Sequence, residues 1–341
     1  MSVEDQNKKL EHSLAELLDK VALNTVVNCA YSSKIDDASL LPPTTLLYVR
    51  FNEDMPQVHS LARFLWKQCV NYALSRKRRI EFQKTIQNAA PGDISATTEI
   101  VRVVRDVFVD FNKKYPSRAS EVGEVLAYCV AVHHLQAAQV AAKMSLKTST
   151  NMPIHGLDGI HATFDSGQLS IYFLESKLSQ TANAGVREFA ESVAGFSKNE
   201  KQYLREYELV GDLGNLDVLE GEVRKLALDH FDVIGKPEIQ RRERYVGVIC
   251  YSEKKHFSNV IPVSDGPTDI HEKHFSGIYG NEGRHHYDAT LKHLKDHGAN
   301  PNKCIVFFVA VPSVDKLREA FYSEMGISEI SHAQKPEGKK K

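Results

Sequence analysis

The chain has 341 residues, which is enough to bury a substantial core in one large domain or two. Its 43 lysines and arginines nearly balance its 44 aspartates and glutamates, so no overall positive field favours nucleic acid, and any basic groove must be local. A polar N-terminus, five scattered cysteines and a strongest apolar run of only residues 305–311 predict a cytoplasmic protein without a membrane partner.

The first part of the chain is predicted to be mainly helical. Leu10, Leu14 and Leu17 recur at helical spacing, so residues 1–40 are expected to form an N-terminal helical segment that packs on the rest. A strand is predicted over residues 46–51. Helices are then predicted over residues 57–74, 97–111 and 120–143, followed by a polar linker over residues 147–150.

The second part mixes strands with helices. After a hairpin over residues 156–177, strands are predicted over 245–251 and 304–311, and helices over 185–196, most of 197–232 and 314–321. This pattern predicts an α/β fold in which a central mixed sheet is flanked by helices. We expect one domain over residues 41–330 and a disordered basic tail over residues 331–341.

The hairpin is the most informative segment of the chain. Its arms are rich in β-branched and aromatic residues on either side of Ser166 and Gly167, which predicts two antiparallel strands. A two-residue loop would place Asp158 opposite Glu175, with Lys177 on the same face as Glu175. A three-residue loop would instead turn Asp158 away, so the register decides the interpretation.

The predicted opposition of two acids calls for a positive charge. Directly opposed Cβ atoms lie roughly 5 Å apart, and like charges at that separation destabilise a sheet. A divalent cation between Asp158 and Glu175, assisted by Lys177, would remove the repulsion. The alternative is an ordinary polar strand end that enters solvent, which is the usual origin of a Glu-x-Lys pattern.

A third carboxylate is predicted on the helix over residues 120–143. Glu121 and Glu124 share one face of a mostly apolar helix, so at least one of them lies near its buried stripe. The alternative is a solvated first turn, where acids interact favourably with the helix dipole. Three carboxylates and a lysine suit Mg²⁺-assisted hydrolysis of a phosphodiester, with Mn²⁺ as a substitute metal, whereas the lack of clustered Cys and His disfavours zinc.

Several motifs resemble those of one known family. The chain contains His155-Gly156-Leu157-Asp158-Gly159-Ile160-His161, then Glu175-Ser176-Lys177, the helical Gly123-Glu124-Val125-Leu126, and an apolar strand that runs into Pro312. Together, over about residues 46–321, they resemble HamA, the nuclease subunit of Hachiman anti-phage defence. Leu157 departs from the pattern, since a bulkier aromatic residue is expected there. The Asp, Glu-x-Lys and helical Glu also resemble the PD-(D/E)XK superfamily, which implies a restriction-endonuclease-like core with added N-terminal helices.

The resemblance implies a metal-dependent DNA nuclease that acts beside a helicase subunit, HamB. By motif match, Asp158 and Glu175 would bind Mg²⁺ together with the Ser176 backbone carbonyl, and Lys177 would be the catalytic lysine. Glu124 would be the helical carboxylate and a further candidate ligand. His161 matches the family's strand histidine, to which no role is assigned.

Two further groups of residues are candidates for binding. The basic run Arg76, Lys77, Arg78 and Arg79 at a helix end is a candidate for DNA contact, and a solvated helix C-terminus is the alternative. The other group is a His-rich stretch with histidines at 271, 274, 285, 286, 293 and 297. Only the last two have the helical i, i+4 spacing of zinc ligands, and no third ligand with suitable spacing follows.

Three functions are compatible with these residues. The leading one is a Mg²⁺-dependent endodeoxyribonuclease that works with a helicase subunit. The second is a catalytically silent subunit that binds DNA or acts as a scaffold for the helicase complex. The third, a zinc hydrolase centred on residues 271–297, would require stoichiometric zinc.

Overall fold

A computed structural model describes residues 3–33, 41–114, 121–144, 156–212 and 215–327. The strands are β1 (Val27–Ser32), β2 (Thr44–Val49), β3 (Phe51–Asn52), β4 (Met55–Pro56), β5 (Ala138–Ala141), β6 (Gly159–Asp165), β7 (Gln168–Ser179), β8 (Arg241–Ser252) and β9 (Cys304–Val311). The helices are α1 (Val3–Glu16), α2 (Val58–Ala73), α3 (Arg76–Gln87), α4 (Ser95–Lys114), α5 (Glu121–His134), α6 (Ala182–Ser197), α7 (Glu200–Asp212), α8 (Gly221–Phe231), α9 (Lys254–Phe257), α10 (Ile270–Gly280), α11 (Gly283–His297) and α12 (Val314–Glu324). No helix in these ranges is long and apolar enough to cross a membrane.

A mixed sheet lies at the centre of the molecule. Its strand order is β1-β2-β9-β8-β7-β6-β5, while β3 and β4 form a separate small hairpin. Strands β2, β9, β8 and β7 run parallel to one another. Strand β1 pairs antiparallel with β2 at one edge, and β6 and β5 extend the other side through antiparallel pairs. The predicted α/β fold with a central mixed sheet flanked by helices is therefore confirmed.

Helices cover both faces of this sheet. On one face α2, α4, α5 and α12 pack into an apolar core, and on the other face α1, α6, α7, α8, α10 and α11 pack into a second core. Every residue of β2 and β9 is buried, as expected of central parallel strands that are covered on both sides. Strand β7 lies between β8 and β6, so hydrogen bonds on both sides hold the backbone that carries the site residues.

The predicted hairpin register is confirmed. Asp165 pairs with Gln168, and the ladder continues without a shift to the pair of Gly159 and Leu174. Ser166 and Gly167 form the two-residue loop, with φ values of 50° and 80°. Positive φ at both central residues matches the right-handed twist of the two strands.

The helix predicted over residues 120–143 is too long. Helix α5 ends at His134, and Gln136 then adopts a left-handed conformation with φ of 49°. The following residues form β5, which pairs with the edge of β6 and satisfies its backbone groups there. The sequence Ala-Gln-Val-Ala of residues 138–141 is acceptable in a helix or a strand, so pairing with the open edge of β6 selects the strand.

The segment predicted as N-terminal and helical contributes to the sheet. Helix α1 packs through Leu10 and Leu14, and Leu17 directly after it is also buried, as predicted, but β1 also lies within residues 1–40 and pairs with β2. The division into a helical segment and one domain stays a prediction. The predicted tail over residues 331–341 and the linker over residues 147–150 lie outside the described residues.

Candidate active site

The candidate site lies at the start of β6. The β6–β7 ladder does not extend to the predicted pair of Asp158 and Glu175, because the Asp158 amide donates a 2.7 Å hydrogen bond to the Leu174 carbonyl. The Asp158 carboxylate reaches one residue further along β7. Its Oδ2 accepts hydrogen bonds from the Ser176 backbone amide at 2.7 Å and the Ser176 hydroxyl at 2.6 Å. Two donors from one residue therefore fix the orientation of this half-buried acid.

Glu175 and Lys177 form the second part of the site. Lys177 Nζ donates a 2.6 Å hydrogen bond to Glu175 Oε1, and the two side chains share a face of β7 as predicted. Burial lowers the pKa of Lys177, but the charges of Glu175, Asp158 and Glu188 outweigh burial and raise it overall. Asp158 and Glu175 thus act on the same ammonium group, which is protonated at neutral pH.

Glu188 was not predicted from the sequence. It is half-buried on α6, the helix that packs over the Glu175 face of β7, and its charge reaches Lys177. Helix α6 approaches the sheet closely because Gly185 has no side chain, and a Cβ there would lie 2.5 Å from an Ile249 methyl carbon. No local pattern distinguishes Glu188 from the other charged residues of this amphipathic helix.

Ser176 points to the opposite face of β7, toward α5. A Cβ at Gly123 would lie 3.4 Å from the Ser176 hydroxyl, so the glycine lets α5 lie close to the strand. Hydrogen-bonded residues of an antiparallel pair direct both N–H and C=O to the partner strand. The Ser176 amide bonds to Asp158 on the β6 side, so its carbonyl also faces the segment that precedes β6. This direction suits the predicted role of that carbonyl as a metal ligand.

The two glutamates of α5 are buried, so the solvated-turn alternative is wrong. Glu121 is 0% exposed and Glu124 is 3% exposed. Each accepts a 2.5 Å hydrogen bond from a tyrosine hydroxyl, Glu124 from Tyr72 and Glu121 from Tyr322. Burial raises the pKa of Tyr72 well above its ordinary value, and the charges of Glu124 and Asp158 raise it further. Tyr72 therefore stays a neutral donor between Glu124 and the Asp158 side of the site.

The donor set is compatible with Mg²⁺. Within the described ranges, no group of three or more His, Cys, Asp or Glu side chains is arranged to hold a metal ion. Mg²⁺ does not need such a group, because it is usually held by one or two carboxylates, with water and substrate phosphate as its other ligands. Asp158, Glu175 and the Ser176 carbonyl would satisfy that requirement.

His161 is part of the core. Its ring is 1% exposed, lies 5.7 Å from the Tyr128 ring centroid, and Nδ1 is 3.0 Å from the Ala137 carbonyl oxygen. Burial lowers its pKa to about 4. A neutral Nδ1–H tautomer that donates to this carbonyl would fasten the turn before β5, which gives the family's strand histidine a structural role here.

The basic run starts α3 instead of ending a helix. Arg76 donates to the Leu17 carbonyl at 2.7 Å, and Arg79 bonds to Asp19 at 2.8 Å, so both side chains fasten the end of α1. Lys77 and Arg78 are exposed at the surface. Contact of these four residues with DNA stays a prediction, and Lys77 and Arg78 are better placed for it.

The His-rich stretch forms α10 and α11, which were not predicted. His271 Nδ1 accepts a hydrogen bond from the Ile261 amide at 3.0 Å. The ring of His286 packs 4.4 Å from that of Phe308, and burial lowers its pKa to about 4. These histidines support the packing of two helices on the sheet.

Comparison with known families agrees with the motifs. The HamA family model matches residues 11–325, so the chain belongs to the HamA family, and this membership implies a role in Hachiman anti-phage defence. No curated protein and no solved structure matches the chain significantly.

Proposed function

We propose that this HamA-family chain is a Mg²⁺-dependent DNA nuclease that hydrolyses phosphodiester bonds beside a HamB-like helicase subunit. The observation that supports this most is the Lys177 ammonium, which bonds to Glu175 at 2.6 Å and is also acted on by the charge of Asp158. The proposed superfamily, PD-(D/E)XK, has the same residue types in this order along the chain.

Each residue has a defined task in the proposed reaction. Asp158 and Glu175 would hold the metal together with the Ser176 carbonyl, and Ser176 keeps the Asp158 carboxylate in one orientation through two hydrogen bonds. Bound Mg²⁺ supplies positive charge that stabilises the charge developing on the phosphate. Because its pKa is raised, Lys177 would act as a donor that orients the attacking water or stabilises the phosphate oxygens, and it would not act as a general base.

Plasmid cleavage tests this proposal. Supercoiled plasmid is incubated with the wild type or Lys177→Ala, in Mg²⁺ or in EDTA, and the products are separated on a gel. We expect Lys177→Ala to lower the cleavage rate about 100- to 1,000-fold, as for loss of one transition-state donor. Lys201→Ala, an exposed lysine on α7, is the matched control and should cut like the wild type. Cleavage in EDTA, or a wild-type cleavage rate from Lys177→Ala, would rule out the mechanism.

A catalytically silent subunit that binds DNA or supports the helicase is the second candidate. It is favoured by the absence, among the described residues, of a cluster of three metal-binding side chains. If wild-type protein does not cut plasmid alone, the assay is repeated with the helicase subunit. Cleavage that appears only then supports a nuclease controlled by its partner, and continued absence supports the scaffold.

A further inference from the structure

A fully buried ion pair contacts the segment that leads into Asp158. Lys143 follows β5 and Glu206 belongs to α7, and each side chain is only 1% exposed. The Lys143 ammonium contacts the Glu206 carboxylate and donates a 2.5 Å hydrogen bond to the Leu157 backbone carbonyl. Three distant parts of the sequence therefore meet at one ammonium group, next to the residue that precedes Asp158.

The energetics of this pair call for an explanation beyond stability. Removing two charges from water can cost more than their mutual attraction returns, and apolar residues of similar volume often stabilise a fold as well or better. An apolar side chain at position 143 could not bond to the Leu157 carbonyl. That bond is therefore the specific contribution of the ion pair.

The chain before Asp158 is shaped around the Glu206 carboxylate. Gly156 has a φ of +146°, a conformation that side chains rarely adopt. A Cβ at this position would lie 2.0 Å from Glu206 Oε1. The next residue, Leu157, is 4% exposed and belongs to the core beneath α6 and α7. Contacts with Glu206 and Lys143 thus fix the backbone of Gly156 and Leu157, the two residues before Asp158.

The pair also lies within electrostatic reach of the candidate site. Burial raises the pKa of Glu206 by more than the Lys143 ammonium lowers it, and the negative charge of Glu175 raises it further. The pair therefore interacts electrostatically with Glu175 on β7. It also forms a hydrogen bond to the segment that carries Asp158.

We propose that Lys143 and Glu206 are positioning residues. Through the bond to the Leu157 carbonyl, they keep the Asp158 carboxylate hydrogen-bonded to Ser176 and close to Lys177. Neither residue is assigned a contact with substrate. The catalytic consequence of this proposal rests on the proposed nuclease function, whereas the position of Asp158 can be measured without any cleavage.

The double variant Lys143→Met/Glu206→Leu separates positioning from overall stability. It removes both charges, so its midpoint of urea unfolding should stay near that of the wild type. Hydrogen exchange then reports on two amides, that of Asp158, which bonds to Leu174, and that of Ser176, which bonds to Asp158. We expect both amides to exchange about tenfold faster or more, while amides of β9 keep their wild-type rates.

Unchanged exchange at Asp158 and Ser176 in the folded double variant would overturn the proposal. Lys143→Met/Glu206→Gln gives a second test if the first double variant does not fold, since it also removes both charges and the bond to Leu157 but keeps the shape of the Glu206 side chain. Glu208→Gln, at an exposed position of the same helix, is its matched control and should leave both amides unchanged.

Cleavage assays test the consequence for the site. A variant with loosened Asp158 should need about ten- to hundredfold more Mg²⁺ for half-maximal plasmid cleavage, as for loss of groups that orient metal ligands. A purely structural role would leave this midpoint unchanged, which would count against positioning. Absence of Mg²⁺-dependent cleavage by the wild type would instead contradict the proposed function, and the exchange result would still decide the role of the pair.

Discussion

The two faces of β7 hold carboxylates in different ways. On the α6 face, Glu175 is bonded to the charged Lys177, whose side chain is 20% exposed. On the α5 face, Glu121 and Glu124 accept hydrogen bonds from the hydroxyls of tyrosines that are themselves buried. The charge of Asp158 acts on a side chain of each face, because it raises the pKa of both Lys177 and Tyr72.

This difference separates residues that can take part in the reaction from residues that stabilise the fold. The Lys177 ammonium lies near solvent and can exchange its bond to Glu175 for one to water or phosphate, which frees the Glu175 carboxylate to bind a metal. A buried phenol has no such alternative, so its loss would leave a buried carboxylate without that donor. Changes on the α6 face should therefore lower activity with little effect on stability, and changes on the α5 face should do the reverse.

Asp158→Asn should show the largest effect on activity. The asparagine oxygen can still accept from Ser176, so the urea midpoint should change little, while cleavage should fall about 1,000-fold or more with the loss of the metal-binding charge. Asp165→Asn at the other end of β6 is the matched control. Equal losses of stability and activity would mean that Asp158 belongs to the supporting group.

His161 provides a pH test of the α5 face. Its pKa of about 4 lies below the ordinary 6.5, so the fold favours the neutral ring. The resulting stability is fully present above pH 6.5 and is lost as the pH falls toward 4, with a total of about 3 kcal/mol. Urea unfolding of the wild type and His161→Asn between pH 4 and 7 measures it, with the exposed His12→Asn as control. Parallel pH profiles for wild type and His161→Asn would contradict the assignment.

Tyr72→Phe should have a smaller effect, and on stability alone. Removing the hydroxyl that bonds to Glu124 should lower the free energy of unfolding by about 1–3 kcal/mol. Tyr245→Phe, which removes the hydroxyl of another buried tyrosine, is the control. A stable Tyr72→Phe protein with strongly reduced cleavage would show that Glu124 takes part in the chemistry.

The sequence predicts what depends on local chemistry. The Ser166-Gly167 turn requires two left-handed residues, so it determined the hairpin register and the shared face of Glu175 and Lys177. The break of the ladder before Asp158 was not predictable, because it depends on hydrogen bonds to Leu174 and Ser176 across the strand end.

Long-range contacts are the part that the sequence does not reveal. Tyr72 lies 52 residues from Glu124, and no spacing rule connects them. The same holds for Lys143 and Glu206, a pair that appears only when β5, α7 and the approach to β6 meet. Strands β1 and β5 were missed because their residues are also acceptable in helices or loops, and the sheet edge selects the strand.

The central claim is that Asp158 and Glu175 together bind a metal ion at one site. Calorimetric titration with Mg²⁺ tests this claim most directly. The wild type and Asp165→Asn should bind Mg²⁺ with the same affinity, whereas Asp158→Asn and Glu175→Gln should lose measurable binding while remaining folded. Equal binding by all four proteins, or no binding by the wild type, would contradict the account.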